Sequence, residues 1–493
     1  AIEVSGVGNI SASNTTPTQI SGITQGSGTG GTIIIQTGQL TLRDGGQISA
    51  STLATGQAGD LTVNANQIQV IGRSPDGSVP SGILARVEAS GTGNAGNLNI
   101  QTNSLRVEGG GRIAAATRGE TGDAGNLNIN ATDSIEVIGV YSSTNQTTNP
   151  TQISANTEGS GKAGEIAIET GRLILQDGGQ ISGSTSGSGN AATLTIKANE
   201  IQILDRSFDG SVPSGILARV ETSGTGNAGK LNIQTNSLQV EGGARIAAST
   251  LGKSGNAGNL TINATDNIEV IGVGTNANGD ITSTQISAIT QGAGKAGNIE
   301  IQTGQLITRD GGQVIASTSS SGNASNLTVS ASQVNLIGRS LDGKQPSGLL
   351  ARVETPEASG NAGNITINTE SLLVQNGARV AAASLGKGNA GNVKIQANDT
   401  VEVTGVGTNF NGTDNPAQIS VLSTETGNPG NINIQVPHLL LNYGGNLTAA
   451  SATGSGGNIA IGSQNIQLRN QGIISANAGP GGAEGNITIS TET

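Results

Sequence analysis

The chain repeats itself at a step of 133 residues, and whatever it folds into must repeat with it. The string SGILARVE starts at Ser81 and again at Ser214, and SGLLARVE starts at Ser347. Ile-Glu-Val at Ile2, Ile135 and Ile268, then Val-Glu-Val at Val401, keep the same step. The 493 residues therefore hold about 3.7 copies, divided near 1–126, 127–259, 260–392 and 393–493. Each copy divides again. A Gly, then usually an Asn, then an aliphatic–polar–aliphatic triplet recurs, with the residue after Gly as an anchor at Asn97, Asn126, Glu165, Thr193 and Lys230 among others. Of the 15 anchors, only those after Ala192 and Ser325 lack the Gly. Their spacing cycles through about 28, 37, 29 and 39 residues, so each copy contains four subunits, and every second one carries an insert.

Within a subunit, apolar and polar residues alternate at period two, the pattern of strands with one buried face. In the Asn97 subunit the predicted strands are 98–100, 105–107 and 112–116. Gly-Gly, Thr-Asn and Ser-Gly-rich corners separate them and supply bends and positive φ. A chain of identical three-strand subunits has one economical solution, in which each turn lays its strands parallel on the turn below. The expected fold is all-β: one single-domain right-handed parallel β-helix, or β-solenoid, spanning residues 1–493. It has about 15 three-strand coils and loop insertions at every second coil. Handedness rests on the general preference for right-handed crossovers. At roughly 4.8 Å per coil this is a rod on the order of 70 Å long. Ala at the second inward position of the third strand (Ala50, Ala115, Ala248, Ala316, Ala382) marks the narrow corner of the cross-section. For the recurring anchor Asn two readings are open: a stack of side-chain amides bonding coil to coil, or simple tolerance of a tight corner.

The inserts fall between the second and third strands. One type, GRSPDGSVPS, spans 72–81 and is echoed at 205–214 and 338–347; the other spans 139–150, 272–283 and 405–416. A row of loops along one edge is the natural interaction surface. Its candidates are Arg73 and Asp76, Arg206 and Asp209, Arg339 and Asp342, and the aromatics Tyr141, Phe208 and Phe410. Aromatics outside a core are enriched at contact surfaces, but they can also pack on the solenoid wall. The charges read either as a binding stripe or as a salt-bridge ladder that holds the loops down, joined by Arg86/Glu88, Arg219/Glu221 and Arg352/Glu354 on the next strand.

Composition removes most chemistry. There is no Cys and one His, His438, so thiol-ligated metal sites and histidine triads are out and no metal or cofactor is expected. The formal charge of −11 argues against nucleic acid. No apolar run is long enough for a membrane helix, and the aromatic girdles of a membrane barrel are missing, so no membrane insertion is expected. Asp-Gly pairs at Asp44, Asp177 and Asp310 read as turn residues, not calcium ligands. Gly252-Lys253-Ser254 lacks the helix that a phosphate loop needs. Acid–base catalysis on a polysaccharide needs carboxylates concentrated in one place, whereas these charges recur with the coils; the protein is expected not to be an enzyme.

The phrases GNAGNLNI, NATDSIEVIGV, DGGQISAST and PSGILARVE resemble the repeat region of filamentous-haemagglutinin-like exoproteins, especially those of filamentous cyanobacteria. The resemblance covers nearly the whole chain. It implies a right-handed β-helix, two-partner secretion, and a role at the cell surface as an adhesin or extracellular fibre. The expected function is a secreted structural rod or filament. The alternatives are an adhesin whose insert row binds a surface glycan or protein and, more remotely, a polysaccharide-active enzyme. Solenoids normally carry polar end caps, and none is apparent in this sequence. The chain opens on a second strand and closes on a first, so Ile2, Val4, Ile487 and Ile489 are the candidates for head-to-tail self-association; the other reading is a window of a longer array.

Overall fold

The computed structural model of the chain describes residues 1–11, 14–142, 148–409 and 411–491. Among these, every regular element is a β-strand. They form two compact units, one of residues 1–235, 244–246 and 275–280, the other of residues 236–243, 247–274 and 281–493. Each unit is a stack of coils whose strands pair in parallel with those of the next coil, an open β-solenoid.

In the first unit, Leu98 pairs with Leu127 and Leu127 with Ile166, and all three are essentially without solvent contact. In the second unit Ile299, Leu327, Ile365 and Val393 form the same kind of column. Each buried aliphatic contributes roughly 1.5–3 kcal/mol, and no coil can bury its own face without a neighbour.

The structure differs from the three-strand expectation at one corner. The first two strands run on as one, as in Leu98–Glu108 and Leu127–Ile138. Their bend is a slip of phase. In the eleven-residue form Leu98, Ile100 and Thr102 face inward, then Leu105 and Val107. In the twelve-residue form one more residue sits at the corner, and the register shifts between Ala131 and Ser134. The backbone keeps pairing through the bend, so no strand ends there. Where Pro437 removes an N–H, the two halves separate into Ile432–Gln435 and His438–Asn442.

The third face is short: three-residue strands such as Gln47–Ser49, Gly82–Leu84 and Arg112–Ala114, continued by a column of single bridges through Thr52, Val87 and Thr117. The predicted alanines are fully buried there. In several coils the carbonyl of that inward residue accepts a hydrogen bond from the amide before the anchor across the same coil, as from Gly258 to Ala248 at 2.8 Å and from Gly391 to Ala382 at 3.1 Å. The cavity is too narrow there for a larger side chain. Ala192 and Gly183 occupy these two facing positions with their residue types exchanged, and a Cβ on Gly183 would lie 2.3 Å from that of Ala192.

The anchor asparagines form a ladder. From Asn326 to Asn486, each anchor N–H donates to the side-chain oxygen of the anchor one coil earlier, at 2.8 to 3.1 Å. A second ladder, which the sequence reading missed, runs three residues earlier through Asn323, Asn361, Asn389 and Asn428, each step 2.9 Å. The two Asn of Gly-Asn-Ala-Gly-Asn are thus one device used twice.

Candidate functional site

The inserts brace one another. Arg73 and Asp76 do not pair. The Arg73 Nε donates to the Gly77 carbonyl at 2.7 Å, and its Nη2 to that of Ser78 at 3.2 Å. Arg206 and Arg339 repeat the first contact on Gly210 and Gly343, at 2.9 and 2.7 Å. Asp76 accepts from the hydroxyl of Ser74, from the amide and hydroxyl of Ser78, and from Thr15 of the preceding insert at 2.8 Å. Asp209 does the same with Ser207, Ser211 and Thr148. Those hydrogen bonds, the one from Ser74 foremost, hold the Asp76 carboxyl well below the usual carboxylate range. At Asp209 and Asp342 partial burial pushes the other way, and the hydrogen bonds outweigh it. Of the two readings of these charges, the salt-bridge ladder is corrected at Arg73 and Asp76 and holds on the next strand. The loops are held by hydrogen bonds, and the close ion pairs sit on the next strand: Arg86–Glu88 at 2.5 Å, Arg219–Glu221 at 2.7 Å and Arg352–Glu354 at 2.8 Å.

The other insert type is an antiparallel hairpin, as in Val140–Ser142 with Thr148–Pro150. A further copy, Val7–Ser11 with Asn14–Pro17, was overlooked in the sequence. Its signal is the frame shared by Gly6-Val7…Pro17-Thr18-Gln19 and Gly139-Val140…Pro150-Thr151-Gln152. Hairpin and loop interlock through glycine. A Cβ on Gly77 would strike the Tyr141 ring, and one on Gly210 would strike the Thr275 carbonyl. In the second unit, one on Gly343 would strike the backbone of Asn409.

The aromatic candidates divide. Tyr141 packs locally, its ring under the Arg73 guanidinium at 5.6 Å. Phe208 projects wholly into solvent at the tip of its loop, as does Leu341 at the equivalent position. Leu341 escaped the sequence reading because only aromatics were searched. Phe410 lies outside the described residues. Of the four end candidates, Val4 is buried, Ile2 is half-buried, and Ile487 and Ile489 are half exposed.

In the first unit the outward side of the third face is the floor of a 640 Å³ groove lined by Gln47, Arg73, Arg86, Glu88, Arg112 and Arg118, among others. The floor column reads Gln47, Gly82, Arg112, Gln152, Gln180, Gly215 along successive coils. Gln47 and Gln180 are tied to the Pro80 and Pro213 carbonyls, at 2.9 and 3.0 Å. Arg112 follows Gly82 as Arg245 follows Gly215 and, in the second unit, Arg379 follows Gly348. Burial, then the neighbouring arginines, push Arg112 and Arg245 down to about 10, so both remain cationic at neutral pH. Sequence reasoning missed these three arginines because each sits inside a strand, outside the inserts.

Other motifs are structural. Asp44, Asp177 and Asp310 adopt positive φ ahead of a Gly that does the same, the type I′ pattern. Among the described residues no three of His, Cys, Asp and Glu are grouped to hold a metal ion, and no helix is long and apolar enough to cross a membrane. His438 opens an exposed strand end. No family model, curated protein or solved structure matches the chain.

Proposed function

We propose that the protein is a non-catalytic structural solenoid of the cell exterior, a stiff support that holds its insert ridge away from the surface. The observation that carries this reading is where the polar groups go. Within each unit the coils stack in register. The Nε donors of Arg73, Arg206 and Arg339 and the carboxylates of Asp76 and Asp209 are taken up in tying those loops to themselves and to the neighbouring insert. The resemblance to filamentous-haemagglutinin-like exoproteins supports the same location, and secretion by their route is part of the proposal.

End-on association belongs to it as well. Ile487–Ser490 pairs with Ile459–Gly462 and Ile2–Ser5 with Leu40–Arg43, each on one side only among the described residues. Such edges are templates for another strand, from the same polypeptide or a second copy. Electron microscopy of the purified chain, with immunogold labelling of intact cells, tests the reading. Stiff elongated particles and external label are expected; flexible or compact particles, or label confined to the cell interior, would overturn it.

A second reading is favoured by Phe208 and Leu341, large apolar side chains at the tips of braced loops. An adhesin would present such tips to a protein or glycan surface. Loss of surface binding in a Phe208→Ser/Leu341→Ser variant with unaltered particles would select it.

A further inference from the structure

The groove holds more positive charge than the fold uses. Each cluster holds one arginine more than its carboxylates: Arg73, Arg86, Arg112 and Arg118 with Asp76, Glu88 and Glu158 in the first, and Arg206, Arg219 and Arg245 with Asp209 and Glu221 in the next. Arg339, Arg352 and Arg379 with Asp342 and Glu354 form the third, in the second unit. Glu88, Glu221 and Glu354 are taken by Arg86, Arg219 and Arg352. The Nε atoms of Arg112, Arg245 and Arg379 are all buried, and none has a hydrogen-bond partner among the described residues. Nη1 of Arg73 is in the same condition. One orphaned donor can be an accident of packing. The same orphan at the same position in three coils, each one coil after a glycine against which the arginine backbone packs, is a feature of the repeat. A buried guanidinium N–H without an acceptor is costly, and a chain with a net charge of −11 had acidic residues to spare for satisfying it.

We propose that each cluster is an oxyanion site, taking a carboxylate, sulfate or phosphate group at the orphaned arginine, Arg112, Arg245 or Arg379. The guanidinium fork suits such groups because two parallel N–H donors meet two oxygens. The group is either a free anion or one pendant from an extended polyanion. In the first unit Arg112 and Arg245 lie four coils apart, roughly 19 Å at the coil repeat, a spacing that one linear acidic chain can bridge. The proposal is independent of the scaffold reading, since a solenoid inside or outside the cell would carry the same site.

The test is calorimetric titration of the full chain at low ionic strength with two probes, sodium sulfate and polygalacturonate. The groove variant is Arg112→Gln/Arg245→Gln/Arg379→Gln. Its control, Arg43→Gln/Arg172→Gln/Arg469→Gln, removes the same charge from exposed positions outside the groove. Binding that weakens about tenfold or more in the groove variant and stays within about twofold in the control bears the proposal out. Sulfate binding alone identifies a free anion as the ligand, and tighter binding of the polymer a pendant group. No binding of either probe by the native chain, or equal loss in both variants, overturns it. If the groove variant does not fold, Arg112→Lys keeps the charge and removes the Nε donor. Sulfate should then raise its melting temperature less than that of the native chain; an equal rise overturns the site.

Discussion

Glycine serves two unrelated purposes in this chain, and the residues that replace it show which. At the Asp-Gly corners the backbone lies at positive φ, so Asp44, Asp177, Asp310 and Asn376 are tolerated there, being among the few side chains that visit that region cheaply. Tyr443 stands at the same corner with φ near 45°, where a bulky side chain costs about 1–2 kcal/mol. Tyr443→Gly should therefore raise stability by about 1 kcal/mol in a denaturant titration, despite losing an aromatic ring. At the anchor edge φ is ordinary, and Gly is favoured because the coils touch: a Cβ on Gly164 would lie 1.8 Å from the Gly125 carbonyl oxygen. Ala192 stands at that edge, opposite Gly183 across the same coil. Gly183→Ala should cost about 1–3 kcal/mol by overpacking. Adding Ala192→Gly should recover most of it, a coupling that a double-mutant cycle measures directly.

At the scale of elements, the ladder and the insert ridge do different work. An anchor Asn satisfies an amide of the next coil, so Asn364→Ala leaves the Asn392 N–H without its protein acceptor and should cost about 1 kcal/mol. Asn364→Asp keeps an acceptor for that amide, as Asp60 accepts from the Asn97 amide at 2.8 Å, but loses the Nδ2 donor to the Asn326 side-chain oxygen, so it should be destabilising as well. The insert ridge responds to acid. Hydrogen bonds from Ser74, Ser78 and Thr15 hold the Asp76 carboxyl well below its ordinary value, and Asp209 is held down by Ser207, Thr148 and Ser211 against its partial burial. A folded-state pKa below the unfolded one gives stability that is fully present above about pH 4 and is lost as pH falls toward the folded value. Amide exchange at Ser78 and Ser211 should stay slow at pH 5 and accelerate, beyond its intrinsic pH trend, below pH 4. Asp76→Asn/Asp209→Asn should remove that transition.

For the whole molecule the period itself is testable. Deleting residues 284–416 joins Ser283 to Ala417, the position equivalent to Thr284, and removes one 133-residue period from the second unit. Because each coil there pairs with its sequential neighbours, the shortened chain should keep its strand circular dichroism and a cooperative melt.

The amino-acid sequence alone determined the architecture, because a solenoid is built from contacts one period apart and periodicity is visible in one dimension. The aliphatic columns, the narrow alanine corner, the Asp-Gly turns and the position of the inserts were all legible, down to the register of Leu98 on Leu127. What the tertiary structure alone decided is how outward side chains are shared between coils. Arg73 reaches the loop carbonyls and leaves Asp76 to Thr15 of another insert, 61 residues away. Arg112, Arg245 and Arg379 gather with arginines of other strands. An apolar side chain has one acceptable destination, the interior, so alternation suffices to place it. An arginine has many acceptors within reach of a long flexible stem, and only the packed neighbourhood selects among them or leaves a donor with none.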